Sequence, residues 1–158
     1  MLKNKLKTLI LGLGNPILTD DSVGCRVAMA LQEKIHRSDV DVREACIAGL
    51  DFLDTLTGYD RTIIIDAIQT DKGKPGQIYR FGPEALSDTR RGVSPHDINF
   101  AAAMELGKKL NLSLPHDITI FAIEAADVTS FSEKCTPGVA LAVSKCVDMV
   151  LEELNHAS

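Results

Sequence analysis

The fold is decided by one stretch near the N-terminus, residues 6–24, which reads LKTLILGLGNPILTDDSVG. Its first part, residues 6–13, is a short and almost continuous apolar run, which is typical of a central strand buried on both faces. Residues 14–16 (Gly-Asn-Pro) end the run, and apolar residues at three- and four-residue steps then predict a helix over residues 22–35. A buried strand followed by an amphipathic helix indicates the first unit of an α/β domain.

The rest of the chain repeats this alternation of strands and helices. The patterns predict strands over residues 40–45, 62–65, 77–81 and 118–123, and helices over residues 50–56, from Pro95 onward and from Pro137 onward. The connection from 62–65 to 77–81 is too short for a parallel crossover, so the later strand is expected to run antiparallel to its predecessor. The order β-α-β-α-β-β-α-β-α implies one domain over residues 1–158, with helices on both faces of a mostly parallel sheet.

The composition limits the classes of partner. The 158 residues carry a net charge of −5 with scattered basic residues, whereas a nucleic-acid-binding protein normally shows a basic excess or stripe. No apolar run approaches the roughly 18 residues of a membrane span. The cysteines form no Cys-x-x-Cys pair, and Cys25 and Cys146 fall in apolar helical stripes, where a thiol behaves as a small hydrophobic group. We therefore expect a reduced, cytoplasmic protein with neither a nucleic-acid nor a membrane partner.

Polar side chains collect where a ligand site is expected. In an open α/β sheet, ligands bind beyond the carboxyl ends of the strands, at the point where the strand order reverses, and the first and third strands are the expected neighbours there. The loop after the first strand carries Asn15, Asp20 and Asp21, and the third strand delivers Asp66 at its end. Burying an unpaired carboxylate directly after three isoleucines is costly, so Asp66 needs solvent, a cation or a hydrogen-bond donor.

The glycine-rich loop and the two acids after it have several interpretations. Gly12 and Gly14 match half of a dinucleotide-binding fingerprint, but Ile17 replaces its last glycine, and Asp20 and Asp21 would repel a phosphate. Acidic residues before a helix also serve as N-caps and complement the helix dipole. Both roles are compatible if Asp20 caps the helix and Asp21 is a ligand.

His96 is the histidine best placed to join these carboxylates. It stands at the predicted start of a helix, after Ser94 and Pro95, although a histidine taken alone at such a position is more often a structural or exposed residue than a ligand. Two carboxylates and one imidazole would suit nickel, zinc or another late divalent ion better than calcium or magnesium. Neither His-Glu-x-x-His nor Gly-x-Ser-x-Gly occurs in the sequence, so two common hydrolase motifs are missing.

Four motifs, taken in order, resemble one enzyme family. Residues 14–24, GNPILTDDSVG, resemble the Gly-Asn-x4-Asp-[Asp/Glu]-x2-Gly signature of the nickel–iron hydrogenase maturation endopeptidases. The resemblance continues through Asp66-Ala67, Ser94-Pro95-His96 and Thr136-Pro137, and it spans residues 6–154. It implies an α/β fold of the phosphorylase/hydrolase-like type, a three-layer α/β/α sandwich whose mostly parallel mixed sheet has one antiparallel strand.

The resemblance also implies a reaction and the residues for it. Members of the family remove a C-terminal extension from the hydrogenase large subunit after nickel has been inserted, and their metal-contacting residues map onto Asp21, Asp66 and His96. We therefore expect an aspartyl-type endopeptidase in which these three residues are catalytic and contact the metal, while Asn15 and Asp20 bind substrate. The expected partner is the large-subunit precursor, which carries the nickel. No permanent cofactor is expected, although zinc or cadmium would also fit this site in crystals.

Two departures from the family pattern and two alternative functions stay open at this point. Position 21 is Asp here and Glu in some members, and residues 44–46 are Glu-Ala-Cys where the family often has Asp-Gly-Gly. A peptidyl-tRNA hydrolase also begins with an apolar strand and Gly-Leu-Gly-Asn-Pro, as at residues 12–16, but it needs an Arg-His-Asn segment where this chain has Asp-Asp-Ser at 20–22. The second alternative is a non-catalytic nickel-binding checkpoint protein with the same three ligands, since the sequence shows no independent nucleophile.

Overall fold

A computed structural model describes residues 6–46, 51–82 and 100–156, which build one five-stranded sheet flanked by helices. In chain order the elements are β1 (Thr8–Leu13), a 3-10 turn (Thr19–Ser22), α1 (Val23–Lys34), β2 (Val40–Ala45), α2 (Asp51–Leu56), β3 (Arg61–Ile68), β4 (Ile78–Phe81), α3 (Phe100–Lys109), β5 (Asp117–Glu124) and α4 (Pro137–Asn155). The strand order is β2-β1-β3-β5-β4. All neighbouring strands are parallel except β4, which pairs antiparallel with β5.

The reversal of strand order lies between β1 and β3, as the sequence predicts. The chain leaves β1 for β2 on one side and returns to β3 on the other, where Gly12 is in register with Ile65. Every residue of β1 is buried, because β1 has a strand on each edge and helices over both faces. The carboxyl ends of β1 and β3 therefore frame the crevice in which α/β proteins of this topology bind ligands.

The sheet separates two apolar cores, and this gives the molecule its three layers. Ile10 of β1 faces a core shared with α1 and α4, whereas Leu9 and Leu11 face a core that includes Leu56 of α2 and Met104 of α3. This alternation follows from the two-residue period of a strand. The predicted α/β/α arrangement and mixed sheet are confirmed. Within the described segments, no helix is both long and apolar enough to span a lipid bilayer.

Two strand predictions need correction. β3 continues to Ile68, so Asp66 lies within the strand, in register with Ala122 of β5, and not after its end. The strand continues because β5 offers it a parallel partner over its full length. β4 runs opposite to β3 as expected, but it pairs with β5, since β5 occupies the edge of β3 to which β4 would otherwise bind.

The predicted helix starts have two different outcomes. Thr136 occupies the N-cap position of α4 and Pro137 its first position, but the Thr136 side chain does not cap the helix. Its hydroxyl instead donates a hydrogen bond to the Asp20 carboxylate. The predicted start of α3 at Pro95, with Ser94 as its cap, lies outside the described residues.

Candidate active site

Two glycines bring the start of α1 against the carboxyl ends of β1 and β3. A Cβ atom added to Gly24 would lie 2.3 Å from the carbonyl oxygen of Leu13 and 2.4 Å from that of Ile65. A Cβ atom added to Gly14 would lie 2.1 Å from the carbonyl oxygen of Asp21. These distances are far below van der Waals contact, so both positions require a residue without a side chain. The glycines of the signature thus place the turn that carries Asp21 over the β1–β3 switch point.

We expect Gly24→Ala to lower the free energy of unfolding by about 2 kcal/mol, because both crowded atoms are backbone oxygens of buried strands and cannot move aside by changing rotamer. In a helix without such crowding, a change from Gly to Ala would raise the free energy of unfolding by up to about 1 kcal/mol. The sign of the measured change therefore shows whether the close packing around Gly24 is present. Urea denaturation followed by circular dichroism measures the difference. An unchanged or raised stability would contradict the close packing.

The two acids of the signature lie in the 3-10 turn before α1. Ser22, and not Asp20, occupies the N-cap position of α1, and no side chain caps either the turn or the helix. The prediction that Asp20 caps this helix is therefore wrong. The physical reason is that the Asp20 carboxylate points to a different part of the chain, where it finds more donors.

Asp20 is fully buried and holds the loop between β5 and α4. Its Oδ2 accepts hydrogen bonds from the backbone N–H groups of Ala126 (2.9 Å) and Asp127 (3.0 Å), and its Oδ1 accepts one from the N–H of Thr136 (2.7 Å). The Thr136 hydroxyl donates to the same carboxylate. With 0% of Asp20 exposed, this geometry gives its side chain a positioning role. It ties residues 126–136 to the turn that carries Asp21.

Asp21 is hydrogen-bonded to Asn15 within the loop that follows β1. The Asp21 Oδ2 accepts the N–H of Asn15 at 3.1 Å, and the Asn15 side-chain oxygen accepts the N–H of Ile17 at 3.1 Å. Asn15 thereby forms an Asx turn, which is a common use of this residue in loops. Asn15 is partly exposed, and its side-chain amide nitrogen makes no hydrogen bond to any part of the chain that the structure describes. That group is available to a ligand.

Asp66 reaches the same edge of the sheet from β3. It is 4% exposed, and its Oδ1 accepts the N–H of Ala67 at 2.8 Å. By strand alternation it lies on the same face as Ile64, which belongs to the core beneath α2 and α3. The 3-10 turn packs against β3. The structure therefore brings Asp21 and Asp66 to the same edge, as the topology predicts.

The third predicted ligand, His96, lies outside the described residues. In residues 6–46, 51–82 and 100–156, no three His, Cys, Asp or Glu side chains are close enough together to hold a metal ion. Asp21 and Asp66 are therefore at most part of a metal site.

The buried thiols are poorly suited to nucleophilic catalysis. Burial raises the pKa of Cys25 and that of Cys146 to about 12, so both thiols stay neutral at physiological pH. A neutral thiol is a weak nucleophile. Both residues are buried in the core, which confirms their prediction as small hydrophobic groups. Burial also raises the pKa of Cys135, whose Sγ lies 3.5 Å from the Ser22 hydroxyl oxygen.

Glu124 is a buried acid at the same edge that the sequence analysis did not single out. Its carboxylate accepts hydrogen bonds from the N–H of Thr70 (2.8 Å), the hydroxyl of Tyr79 (2.9 Å) and the hydroxyl of Thr70. It therefore arranges the turn that connects β3 to β4. The sequence does carry a signal, and it is the one used for Asp66: an acid that directly follows an apolar run.

Comparison with known proteins decides the family. The family model described as "Hydrogenase maturation protease" matches residues 25–153. This chain belongs to the hydrogenase maturation protease family. The hydrogenase 2 maturation protease of Escherichia coli is 31% identical over 154 residues, which cover 96% of this chain and 93% of that protein. A putative hydrogenase maturation protease of Methanocaldococcus jannaschii is 26% identical over 151 residues, which cover 94% of each chain.

Solved structures of hydrogenase maturation proteases share the fold. The structure of a hydrogenase-maturating endopeptidase from Escherichia coli superposes with a TM-score of 0.80 and 26% identity, and the match covers 94% of this chain and 92% of that one. A nickel–iron hydrogenase maturation protease from Thermococcus kodakarensis gives a TM-score of 0.71 and 26% identity, over 94% of this chain and 99% of that one. A hydrogenase maturation protease is a peptidase, so the prediction of an enzyme is confirmed.

Proposed function

We propose that this protease removes the C-terminal extension of a nickel–iron hydrogenase large-subunit precursor after nickel insertion, and that Asp21, Asp66 and His96 contact the nickel carried by that substrate. The reaction is a hydrolysis, in which water adds across one peptide bond and releases the extension. Family membership supports the class of reaction. The choice of metal-contacting residues rests on the resemblance at residues 14–24 and on the chemistry of the site.

The observation that carries the proposal is that two buried carboxylates, Asp21 and Asp66, lie at the same end of the sheet, at the β1–β3 switch point. Asp21 and Asp66 come from segments 45 positions apart, and each is 3–4% exposed. Carboxylate oxygens and imidazole nitrogens are ligands that divalent metal ions accept in proteins. The described residues supply too few ligands for a closed metal centre. Two carboxylates and one imidazole would leave coordination positions for ligands that the substrate brings with the metal.

Asn15 and Asp20, the two residues predicted to bind substrate, have different roles in this proposal. The side-chain amide of Asn15 is the group in this loop best placed to donate a hydrogen bond to a substrate carbonyl. Asp20 acts indirectly, because its carboxylate is enclosed by the N–H groups of residues 126, 127 and 136. It fixes the backbone on which Asp21 stands.

The alternative functions have less support. The match to the protease family replaces the peptidyl-tRNA hydrolase interpretation, and the chain's net charge of −5 also disfavours binding to the phosphates of a tRNA. A non-catalytic checkpoint role has no specific observation in its favour, since the chain's relatives are named as proteases.

A cleavage assay with and without nickel tests the proposal. We expect the purified protein to release the C-terminal peptide from nickel-loaded precursor and to leave nickel-free precursor intact, with mass spectrometry detecting the peptide. Precursor that is stripped by a chelator and then reloaded should regain cleavage. Equal cleavage of both forms would overturn nickel sensing, and binding of loaded precursor without cleavage would favour the checkpoint role.

A further inference from the structure

Two apolar side chains stand out from the edge of the sheet that carries the acids. Phe131 is 82% exposed and Ile17 is 47% exposed. They lie on adjacent pieces of backbone, because Leu18 and Ser132 form a parallel bridge and the N–H of Ser132 donates to the carbonyl oxygen of Ile17 at 2.9 Å. We call Ile17 and Phe131 the apolar rim.

The backbone beneath the apolar rim is firmly held. The N–H of Thr19 donates to the carbonyl oxygen of Ser132 at 3.0 Å, and the Thr19 hydroxyl donates to that of Ser130. The Asp127 carboxylate accepts the N–H groups of Thr129 and Ser130, and these bonds lower its pKa to about 2. Asp127 is therefore ionised at neutral pH. The exposed aromatic ring thus sits on a loop with a defined conformation.

This combination is characteristic of a preformed contact surface. A ring that is 82% exposed contributes little to the core, and exposing it to water is unfavourable. Interfaces place aromatic anchors at their centre and polar residues around them. The exposed Glu133 and Lys134 supply such polar surroundings beside Phe131. A rigid anchor also loses less conformational entropy when a partner binds.

The position of the apolar rim indicates which molecule binds to it. Ile17 is two residues from Asn15 and four from Asp21, and Asp20 ties the Phe131 loop to the same turn. The apolar rim therefore belongs to the same backbone unit as Asp21, the residue to which the proposed function assigns contact with the substrate's nickel. Of the other large apolar side chains that are most exposed in the described residues, Leu110 follows α3 and Leu141 lies on α4, and neither is on the backbone segments that the Leu18–Ser132 bridge joins.

We propose that the apolar rim is the docking surface for the folded body of the large-subunit precursor, and that it binds an apolar patch next to the precursor's C-terminal extension. This proposal rests on the proposed function, since the occupant is the substrate of that reaction. It assigns Ile17 and Phe131 to recognition of the protein substrate and leaves the chemistry to the acids.

Two truncations and a matched control test this assignment. Phe131→Ser and Ile17→Thr remove apolar surface at the rim, and Leu141→Ser makes a similar change at a leucine that is 79% exposed on α4. With nickel-loaded precursor as substrate, we expect Phe131→Ser to raise KM roughly tenfold or more while kcat stays within about twofold. Ile17→Thr should raise KM less, and Leu141→Ser should match the wild type. The thermal midpoints should agree within about 2 °C, because neither rim side chain is buried.

The outcomes separate this proposal from the proposed function. A wild-type KM in Phe131→Ser, measured where the wild-type protein cleaves the precursor, would overturn docking at the rim and leave the function standing. If the wild-type protein binds the precursor without cleaving it, the proposed function fails, and the ratio of dissociation constants still reports on docking. Sedimentation of the free protein excludes one more occupant: a dimer that Phe131→Ser dissociates, with KM unchanged, would make the rim a contact between two copies and overturn the proposal.

Discussion

Replacing Asp66 or Asp21 by asparagine is expected to lower the rate of precursor cleavage by roughly 100-fold or more while leaving the protein folded. Loss of a group that supports a metal ligand typically costs about 10- to 100-fold in metal affinity or activity, so loss of a direct contact with the metal is expected to cost at least as much. Asparagine retains an oxygen that can accept the N–H of Ala67 in one case or of Asn15 in the other. These two hydrogen bonds therefore persist, and each variant loses the negative charge to which the proposed function assigns the contact with nickel.

The measurement is the initial rate of peptide release from nickel-loaded precursor, with the thermal midpoint recorded for each variant. Asp148→Asn provides the matched control, because Asp148 is exposed on α4 and the same atoms change. His96→Gln extends the series to the predicted ligand that lies outside the described residues. Full cleavage by any one of the three site variants would remove that residue from the site.

The largest effect on stability is expected for Asp20→Ala, which should lower the free energy of unfolding by about 3–5 kcal/mol. The substitution removes a buried acceptor from three backbone N–H groups, those of Ala126, Asp127 and Thr136, and from the Thr136 hydroxyl. Each buried donor that loses its partner costs about 1–3 kcal/mol, and the small side chain also leaves a cavity.

Thr136→Val is the graded control for this prediction, because it removes the hydroxyl donor and leaves the three N–H bonds to Asp20 in place. We expect it to cost about 1 kcal/mol. Urea denaturation measures both variants. Because Asp20 also holds residues 126–136, hydrogen exchange in that loop should accelerate in Asp20→Ala before the sheet exchanges. A loss of stability below about 1 kcal/mol would show that water or a rearranged loop replaces the carboxylate.

The fold was largely predictable, and the two failures within the sheet have one physical cause. Local periodicity gives each segment its conformation, and the order of the segments gives a mostly parallel sheet with its reversal between β1 and β3. Periodicity carries no information about which edge a late strand joins. The position of β4 beside β5, and the extension of β3 to Ile68, depend on β5 as a partner.

The candidate site was predictable only in part for a related reason. Asp66 and Glu124 both directly follow apolar runs, and yet only Asp66 lies at the switch point, whereas Glu124 organises the β3–β4 turn. Asp20 and Asp21 are adjacent in the sequence, and yet the carboxylate of Asp20 is enclosed by one loop while that of Asp21 bonds to Asn15. Residue type and spacing do not separate such pairs, because the partners that define each role lie elsewhere in the chain.

The sequence by itself determined the order of strands and helices, the place where the strand order reverses, and the presence of acids at that place. These features follow from local periodicity, from the lengths of the connections and from the glycines that let α1 approach β1 and β3 closely. Only the tertiary structure decided that the buried Asp20 accepts hydrogen bonds from Thr136, which is 116 positions away. It also decided that Phe131 is exposed on the loop that Asp20 holds. A hydrogen bond across such a separation leaves no local pattern in the sequence, because its energy depends on groups that only the folded chain brings together.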